Sequence, residues 1–398
     1  MPNPPWISIV GLGEDGPEGL SVASRNALET AEIIMGPKRH LGLLNASLAE
    51  YVEWPVPFSD GLAMLKALKG RQVAVLASGD PFWYGAGSVL AAHFEPDEWQ
   101  AFPAQSVFSL AATKLGWAIE KTLCIGLHAA PLSRLRPHLA DKARAIVLLR
   151  DGQAVSDLRD YLAATGFGQS DLHILEALGG PRELVRKVSH TDPLPAAISH
   201  PVCVGVDMIG RNAVSKASGR CDDLFDNDGQ ITKRPIRALT LSALAPKRGE
   251  RLLDIGGGSG SISIEWLLSD PTTQATVIEA NPDRADRIRA NANRLGVDRI
   301  DVVVGKAPMS LDTIAPPNAV FIGGGLSQEL LQQLHSDLPT GTRLVANAVT
   351  LESEALLVAW QAKLGGDLLR VEISNLTSIG SKRAWDASYP IVQWSVDL

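Results

Sequence analysis

Cysteine is scarce, with three in 398 residues. Cys124, Cys203 and Cys221 stand far apart and form no CxxC pair, which argues against a disulfide framework and against a structural zinc site. No run of eighteen apolar residues occurs, so no segment reads as a bilayer-spanning helix. The opening stretch MPNPPWISIVG has neither a charged n-region nor a long apolar h-region, and it does not read as an export leader. With those signals missing, the expectation is a cytoplasmic chain. Basic residues number 37 against 44 acidic ones, a formal charge of −7, and nothing in that balance suggests a surface for nucleic acid. No Ser/His/Asp or Cys/His arrangement emerges, and the eight histidines are scattered. Internal repeats and low-complexity tracts are absent as well.

What is present is the composition of an ordinary globular protein, 45% hydrophobic and 20% charged. The length exceeds one comfortable core, so two or three domains are expected. WISIVGLG, SVASRNALETAEII, QVAVLASGD and GAGSVLAAHF alternate short apolar runs with helical patterns, the βαβα rhythm of a mostly parallel sheet. ARAIVLLRD, SDLRDYLAATG, LHILEALGG and PVCVGVDMIG continue it as a second block. The text then turns polar, small and acidic over RNAVSKASGRCDDLFDNDGQ, the best candidate for an exposed connection. After it the rhythm restarts with RLLDIGGG, ATVIEANP, IDVVVGKAP, AVFIGGG and TRLVANAV. The expectation is an α/β chain with a domain over 1–211, a linker over 212–230, and a doubly wound domain over 231–398.

The strand-to-helix turn LLDIGGGSGSISIEW is the most informative stretch. In a doubly wound sheet the ligand sits beyond the C-terminal strand ends, and the first turn must bring backbone close to it. The spacing is Asp254-x-Gly256-x-Gly258-x-Gly260. A dinucleotide fingerprint would place its third glycine where Ser261 stands, which speaks against an NAD oxidoreductase. The loop is instead similar to the D-x-G-x-G-x-G loop of class I S-adenosylmethionine (SAM) methyltransferases. An acid suits the zwitterionic methionyl end of SAM, so Asp254 is the candidate for its amino group. Glu279, closing the next strand in VIEAN, is the candidate for the ribose hydroxyls. Gly305, Lys306 and Ala307 would lie beside the adenine. The competing reading is a tight turn that only caps a helix.

A second glycine-rich turn, GLGEDG, contains Gly11 and Gly13. With VAVLASGDPFWYG, which supplies Gly79, Asp80 and Pro81, it resembles the tetrapyrrole methylases. FPAQSVFSLAATKLGW lies where that family has P-G-x-S-S. Ala104 and Val107 depart from the pattern and Ser106 matches it. ILEALGGPRE resembles the family's E-x-L-G-x-x-x-E segment. The resemblance implies SAM folded in a cleft between two α/β subdomains. Asp80 also reads as a plain turn residue ahead of Pro81.

Two unrelated SAM sites in one chain resemble the fused, decarboxylating precorrin methyltransferases of cobalamin biosynthesis. Thr232, Lys233 and Arg237 match the family's T-K-x-x-(I/V)-R helix start, and FIGGG and NAVTLES match its later strand ends. The resemblance implies a multifunctional enzyme that methylates precorrin-6B at carbons 5 and 15 and removes carbon dioxide from the ring C acetate, giving precorrin-8. Carbon 15 and the decarboxylation would fall to the C-terminal domain and carbon 5 to the N-terminal one. A homo-oligomer is implied too. A polycarboxylate substrate calls for fixed cations. Lys233, Arg234, Arg237, Lys382 and Arg383 either supply them or form solvated basic surface. The rival readings are a two-site SAM methyltransferase on another substrate, and a chain in which one SAM domain is degenerate.

Overall fold

The computed structural model describes residues 5–45, 48–312 and 314–398. The first four residues of MPNPPWISIVG lie outside them. The chain divides into two compact units. One comprises Met1–Ala130 and Leu139–Asn212, the other Pro131–His138 and Ala213–Leu398. Among the described residues no helix is long and apolar enough to cross a membrane.

The first unit opens with five strands: β1 (Ile7–Leu12), β2 (Ile33–Gly36), β3 (Glu50–Glu53), β4 (Val73–Ser78) and β5 (Trp99–Phe102). They form a wholly parallel sheet in the order β3-β2-β4-β1-β5. The connecting helices are α1 (Val22–Thr30), α2 (Lys38–Leu41), α3 (Phe58–Ala67) and α4 (Ala86–Ala91). Both faces of the sheet are covered, as a parallel sheet requires. Along β1, Ile7 and Ile9 enter one core cluster while Val10 and Leu12 enter the other.

The helical reading of SVASRNALETAEII holds only to Thr30, because Ile33–Gly36 is a strand. Adjacent β-branched residues that are buried on both faces favour a central strand over a helix continuation. Helix α5 (Val107–Leu115) leads into a second sheet of β6 (Leu123–Gly126), β7 (Arg144–Leu149), β8 (Asp171–Glu176), β9 (Leu184–Val188) and β10 (Val202–Asp207), with α6 (Gly152–Ala164) after β7. Its order is β6-β7-β10-β8-β9. Strand β10 runs antiparallel to both neighbours and β9 antiparallel to β8. The parallel rhythm expected of this block is therefore corrected to a mixed sheet. Short apolar runs look alike in either direction, so periodicity carries no information on strand sense.

In the second unit α7 (Arg234–Leu244) precedes β11 (Arg251–Ile255), α8 (Ser261–Ser269), β12 (Gln274–Glu279), α9 (Pro282–Arg294), β13 (Asp301–Val304), β14 (Ala319–Ile322), α10 (Gln328–Asp337), β15 (Arg343–Ala348) and α11 (Leu351–Leu364). Strands β16 (Asp367–Val371), β17 (Ser374–Ile379), β18 (Lys382–Ala387) and β19 (Ile391–Asp397) complete it. The sheet order is β13-β12-β11-β14-β15-β19-β16, parallel except for β19, while β17 and β18 form a separate hairpin. All five strands expected here are present.

The stretch 212–230 is largely exposed, but three of its residues, Gly219, Arg220 and Phe225, are buried. Phe225 enters the second unit's core at 2% exposure and Arg220 is buried at 4%. The polar text misleads at Arg220, which ion-pairs with the buried Glu265, whose carboxylate also accepts the N–H groups of Gly219 and Arg220 at 2.8 Å.

Candidate active site

Strand β11 ends at Ile255 and the chain turns through glycines into α8. Gly256 has φ +80°, and a Cβ there would stand 2.7 Å from Gly324 in the turn after β14. Two strand ends thus close on each other through bare backbone, tied by Gly323 N–H donating to Ile255 O at 2.9 Å. Beside them Glu279 closes β12. Its Oε2 accepts the Gly258 N–H at 2.8 Å and its Oε1 the Asn281 N–H at 2.9 Å. Each oxygen keeps a further lone pair, the capacity a vicinal diol would use.

A cavity of about 780 Å³ lies at these strand ends. It is lined by Gly256, Gly258, Glu279, Gly305, Lys306 and Ala307, together with Thr232 and Lys233. The segment from Gln230 to Lys233 forms one wall. It is anchored by Asp228, which takes Arg284 at 2.8 Å and Arg287 at 3.2 Å. Those two hydrogen-bonded arginines and the Gln230 N–H hold the Asp228 carboxyl down to about 2, the Arg284 bond contributing most. Lys233 and Lys306, both in the lining, have no ion-pair partner among the described residues, and they share the cavity with the charged Asp222, Glu279 and Arg284 and with an apolar wall that includes Ile255, Ile278 and Phe321.

Several expected residues lie elsewhere. Gly260 is not in the lining: it sits at the start of α8, packed on Ile288. Asp254 lies beneath the loop at 1% exposure, with Oδ2 accepting the Ser263 hydroxyl at 2.7 Å. Burial pushes its carboxyl up to about 6; the Ser263 bond opposes this and the Glu279 charge adds to it. One of its two oxygens is thus taken by a hydroxyl inside the protein, while Oδ1 has no hydrogen-bond partner among the described residues.

Arg237 is a correction too. Its guanidinium is fully buried, 2.7 Å from Glu265 and 2.9 Å from Asp222, and its remaining donors go to the Thr232 and Arg220 carbonyls. The Phe225 ring covers it at 4.8 Å. A group spent in this way cannot reach a substrate; it anchors the chain entering α7 to α8. Removing one partner of such a pair costs about 3–5 kcal/mol. Arg234 lies outside the lining, its N–H turned to Asp222 at 3.5 Å. Lys382 and Arg383 sit at the turn end of the β17–β18 hairpin, whereas the cavity meets the hairpin's other end at Asn375, Ser388 and Tyr389. Those three were not legible as site residues, because no motif or spacing marks them; Asn347 and Val349, also in the lining, belong to NAVTLES, which the sequence does mark as a strand end.

In the first unit the turns after β1, β4 and β5 stack. Gly79 N–H donates to Leu12 O at 3.0 Å, and Ala104 N–H to Gly79 O at 3.1 Å. A Cβ on Gly11 would stand 2.0 Å from Gly79 O, so only glycine allows the first two turns to meet. Ala104, where the tetrapyrrole methylases have glycine, keeps its hydrogen bond and is not among the residues with positive φ. Its departure from the pattern therefore leaves the turn intact. Ser106 caps α5 by accepting the Ser109 N–H at 3.1 Å. Asp80 accepts the Phe82 N–H at 2.9 Å, the turn role weighed for it, and Pro81 is buried under Gly85 and Gly87. Gly13 lies in the turn closed by Gly16 N–H to Gly13 O at 3.2 Å.

The tetrapyrrole (corrin/porphyrin) methylase family model matches residues 7–192, and the precorrin methyltransferase domain model matches 223–398. Over 402 residues the chain is 44% identical to a Sinorhizobium protein named precorrin-6Y C(5,15)-methyltransferase [decarboxylating], covering 98% of this chain and 96% of that one. The chain belongs to the decarboxylating precorrin-6Y C(5,15)-methyltransferase family. A Salmonella typhimurium protein, cobalt-precorrin-6B C(15)-methyltransferase (decarboxylating), is 34% identical over 177 residues, 43% of this chain and 91% of its own length. The solved C-terminal domain of the family member from Rhodobacter capsulatus is 51% identical and is covered completely by 46% of this chain, with a TM-score of 0.45.

Proposed function

We propose that this chain methylates precorrin-6B at carbons 5 and 15 and removes carbon dioxide from the ring C acetate, giving precorrin-8, with one SAM site in each unit. The observation that carries the reading is the cavity of the second unit. A glycine turn, a strand-end acid with spare lone pairs and two lysines without an ion-pair partner among the described residues meet there at the C-terminal edge of a parallel sheet. Carbon 15 and the decarboxylation are assigned to this unit. A separate protein of about half the length is named for both of those steps. Carbon 5 is assigned to the first unit, whose stacked turns carry the tetrapyrrole-methylase motifs. Cytoplasmic residence and assembly of identical chains belong to the same proposal.

SAM, when bound, supplies an electrophilic methyl with a good leaving group. The chain's own residues then have to hold, orient and exclude water. Glu279 would take the ribose hydroxyls, and backbone at Gly256 and Gly258 would admit the methionyl end. Gly305 to Ala307 would flank the base. Lys233 and Lys306 offer charge to substrate carboxylates, while Phe321, Ile255 and Ile278 keep the wall apolar. Alignment of this kind contributes roughly 7 to 11 kcal/mol to methyl transfer. Electrons left by departing carbon dioxide pass into the conjugated macrocycle, so no protein nucleophile is required.

Mass spectrometry of precorrin-6B incubated with SAM tests the assignment. The whole chain should add two methyls and release one carbon dioxide. With SAM well below the weakened site's affinity, the whole chain carrying Glu279→Ala should add one methyl and release almost no carbon dioxide. Carbon dioxide release surviving in that variant would remove the decarboxylation from this cavity.

A further inference from the structure

The first unit holds a charged construction that its glycine turns do not account for. Glu14 follows Gly13 in the turn after β1 and is 8% exposed. Its Oε1 takes Arg39, and its Oε2 takes Arg182 at 3.0 Å. Arg39 belongs to α2, after β2, and also donates to the Ser78 hydroxyl at 3.0 Å, next to Gly79. Arg182 comes from the second sheet, in the segment after β8. That segment approaches so closely that a Cβ on Gly180 would stand 2.6 Å from Glu14 Cβ. The three charges therefore sit where the turns of the unit's two sheets meet, bordering both glycine turns.

Two arginines share one carboxylate, which leaves an excess of positive charge. His40, 2.7 Å from Arg39, adds none, because burial, then the Arg39 charge, holds its imidazole down to about 3. The Glu14 side chain is 7% exposed, against 30% for Arg39 and 57% for Arg182. The anion is thus inside and the guanidinium edges are outside. Glu265 and Asp228 also take two arginines each, but those arginine side chains are at most 31% exposed, whereas the second arginine here, Arg182, is 57% exposed. The second adds repulsion: burial, followed by the Arg182 charge, lowers the Arg39 pKa. Among the described residues Arg182 makes one hydrogen bond, to Glu14, which leaves most of its five N–H donors unspent.

We propose that Arg39 and Arg182, spaced by Glu14, form a clamp for a side-chain carboxylate of the tetrapyrrole at the N-terminal methylation site. The proposal rests on the assignment of one methyl transfer to that unit. Paired guanidinium edges match a carboxylate in two parallel hydrogen bonds, and the buried Glu14 keeps the cations close without filling their outer face.

The test uses the whole chain, precorrin-6B and methyl-labelled SAM. Methyl incorporation in excess of carbon dioxide release reports the N-terminal reaction. Arg182→Gln leaves Glu14 paired with Arg39 and should raise the KM for precorrin-6B in that reaction by about tenfold or more. The KM for SAM and the rate of carbon dioxide release should stay as in the wild type. Arg182→Lys, with the charge but not the fork, should fall between. A wild-type KM in Arg182→Gln overturns the clamp alone. A wild-type chain that adds only one methyl per carbon dioxide overturns the N-terminal assignment and the clamp with it.

Discussion

Asp254 and Glu279 are both acids at strand ends, yet the structure separates their roles. Glu279 accepts two backbone N–H groups and borders the cavity, whereas Asp254 is sealed beneath the loop with one hydroxyl partner. Burial lifts the Asp254 carboxyl from 3.8 to about 6. Between those values the folded chain keeps a proton that the unfolded chain has released. Stability from this group is therefore present at low pH and lost as pH rises through the interval, by about 3 kcal/mol in all. Asp254→Asn should remove that loss, so its stability relative to the wild type should increase from pH ~4.5 to ~7. Urea unfolding followed through the buried Trp266 and Trp394 measures it, and a pH-independent difference would contradict the assignment. The acid was legible in the sequence because it stands ahead of the glycines. Its role was not, because burial depends on how α8 closes over the strand.

The same division appears among elements. The glycine turn and α8 were legible together, since the strand Arg251–Ile255, the turn and the helix Ser261–Ser269 follow one another without interruption. The basic residues of GSKRAW were not, because their effect depends on which end of a hairpin meets the cavity. Register pairs Ile379 with Lys382 at the turn and Ser374 with Ala387 at the base, and the base is the end that approaches the cavity. A Lys382→Ala, Arg383→Ala double variant should therefore keep its KM for precorrin-6B within about twofold of the wild type. A large rise in steady-state KM would return these residues to the site. Likewise, α7 opens with a basic stretch whose members part company on folding. Lys233 borders the cavity, Arg234 lies outside its lining, and Arg237 is sealed against Glu265. One helix start thus supplies both a candidate ligand-facing cation and a buried anchor.

At the scale of the whole molecule, two units with separate cores each present glycine turns at the C-terminal ends of parallel strands. Isothermal titration should therefore count two SAM molecules per chain. Glu279→Ala should weaken one of them by about tenfold to a hundredfold and leave the other unchanged. A single site in the wild type would revive the reading of one degenerate domain. The sequence by itself determined the two α/β halves, the glycine turns and the acid that closes β12, because each is written in contiguous residues with a local physical reason. Only the tertiary structure decided that β10 runs against its neighbours, that Phe225 of the stretch 212–230 enters a core, that Arg237 faces inward, and that Arg39 and Arg182 share Glu14. Those outcomes depend on segments far apart in the chain meeting in space, and neither spacing nor periodicity records such meetings.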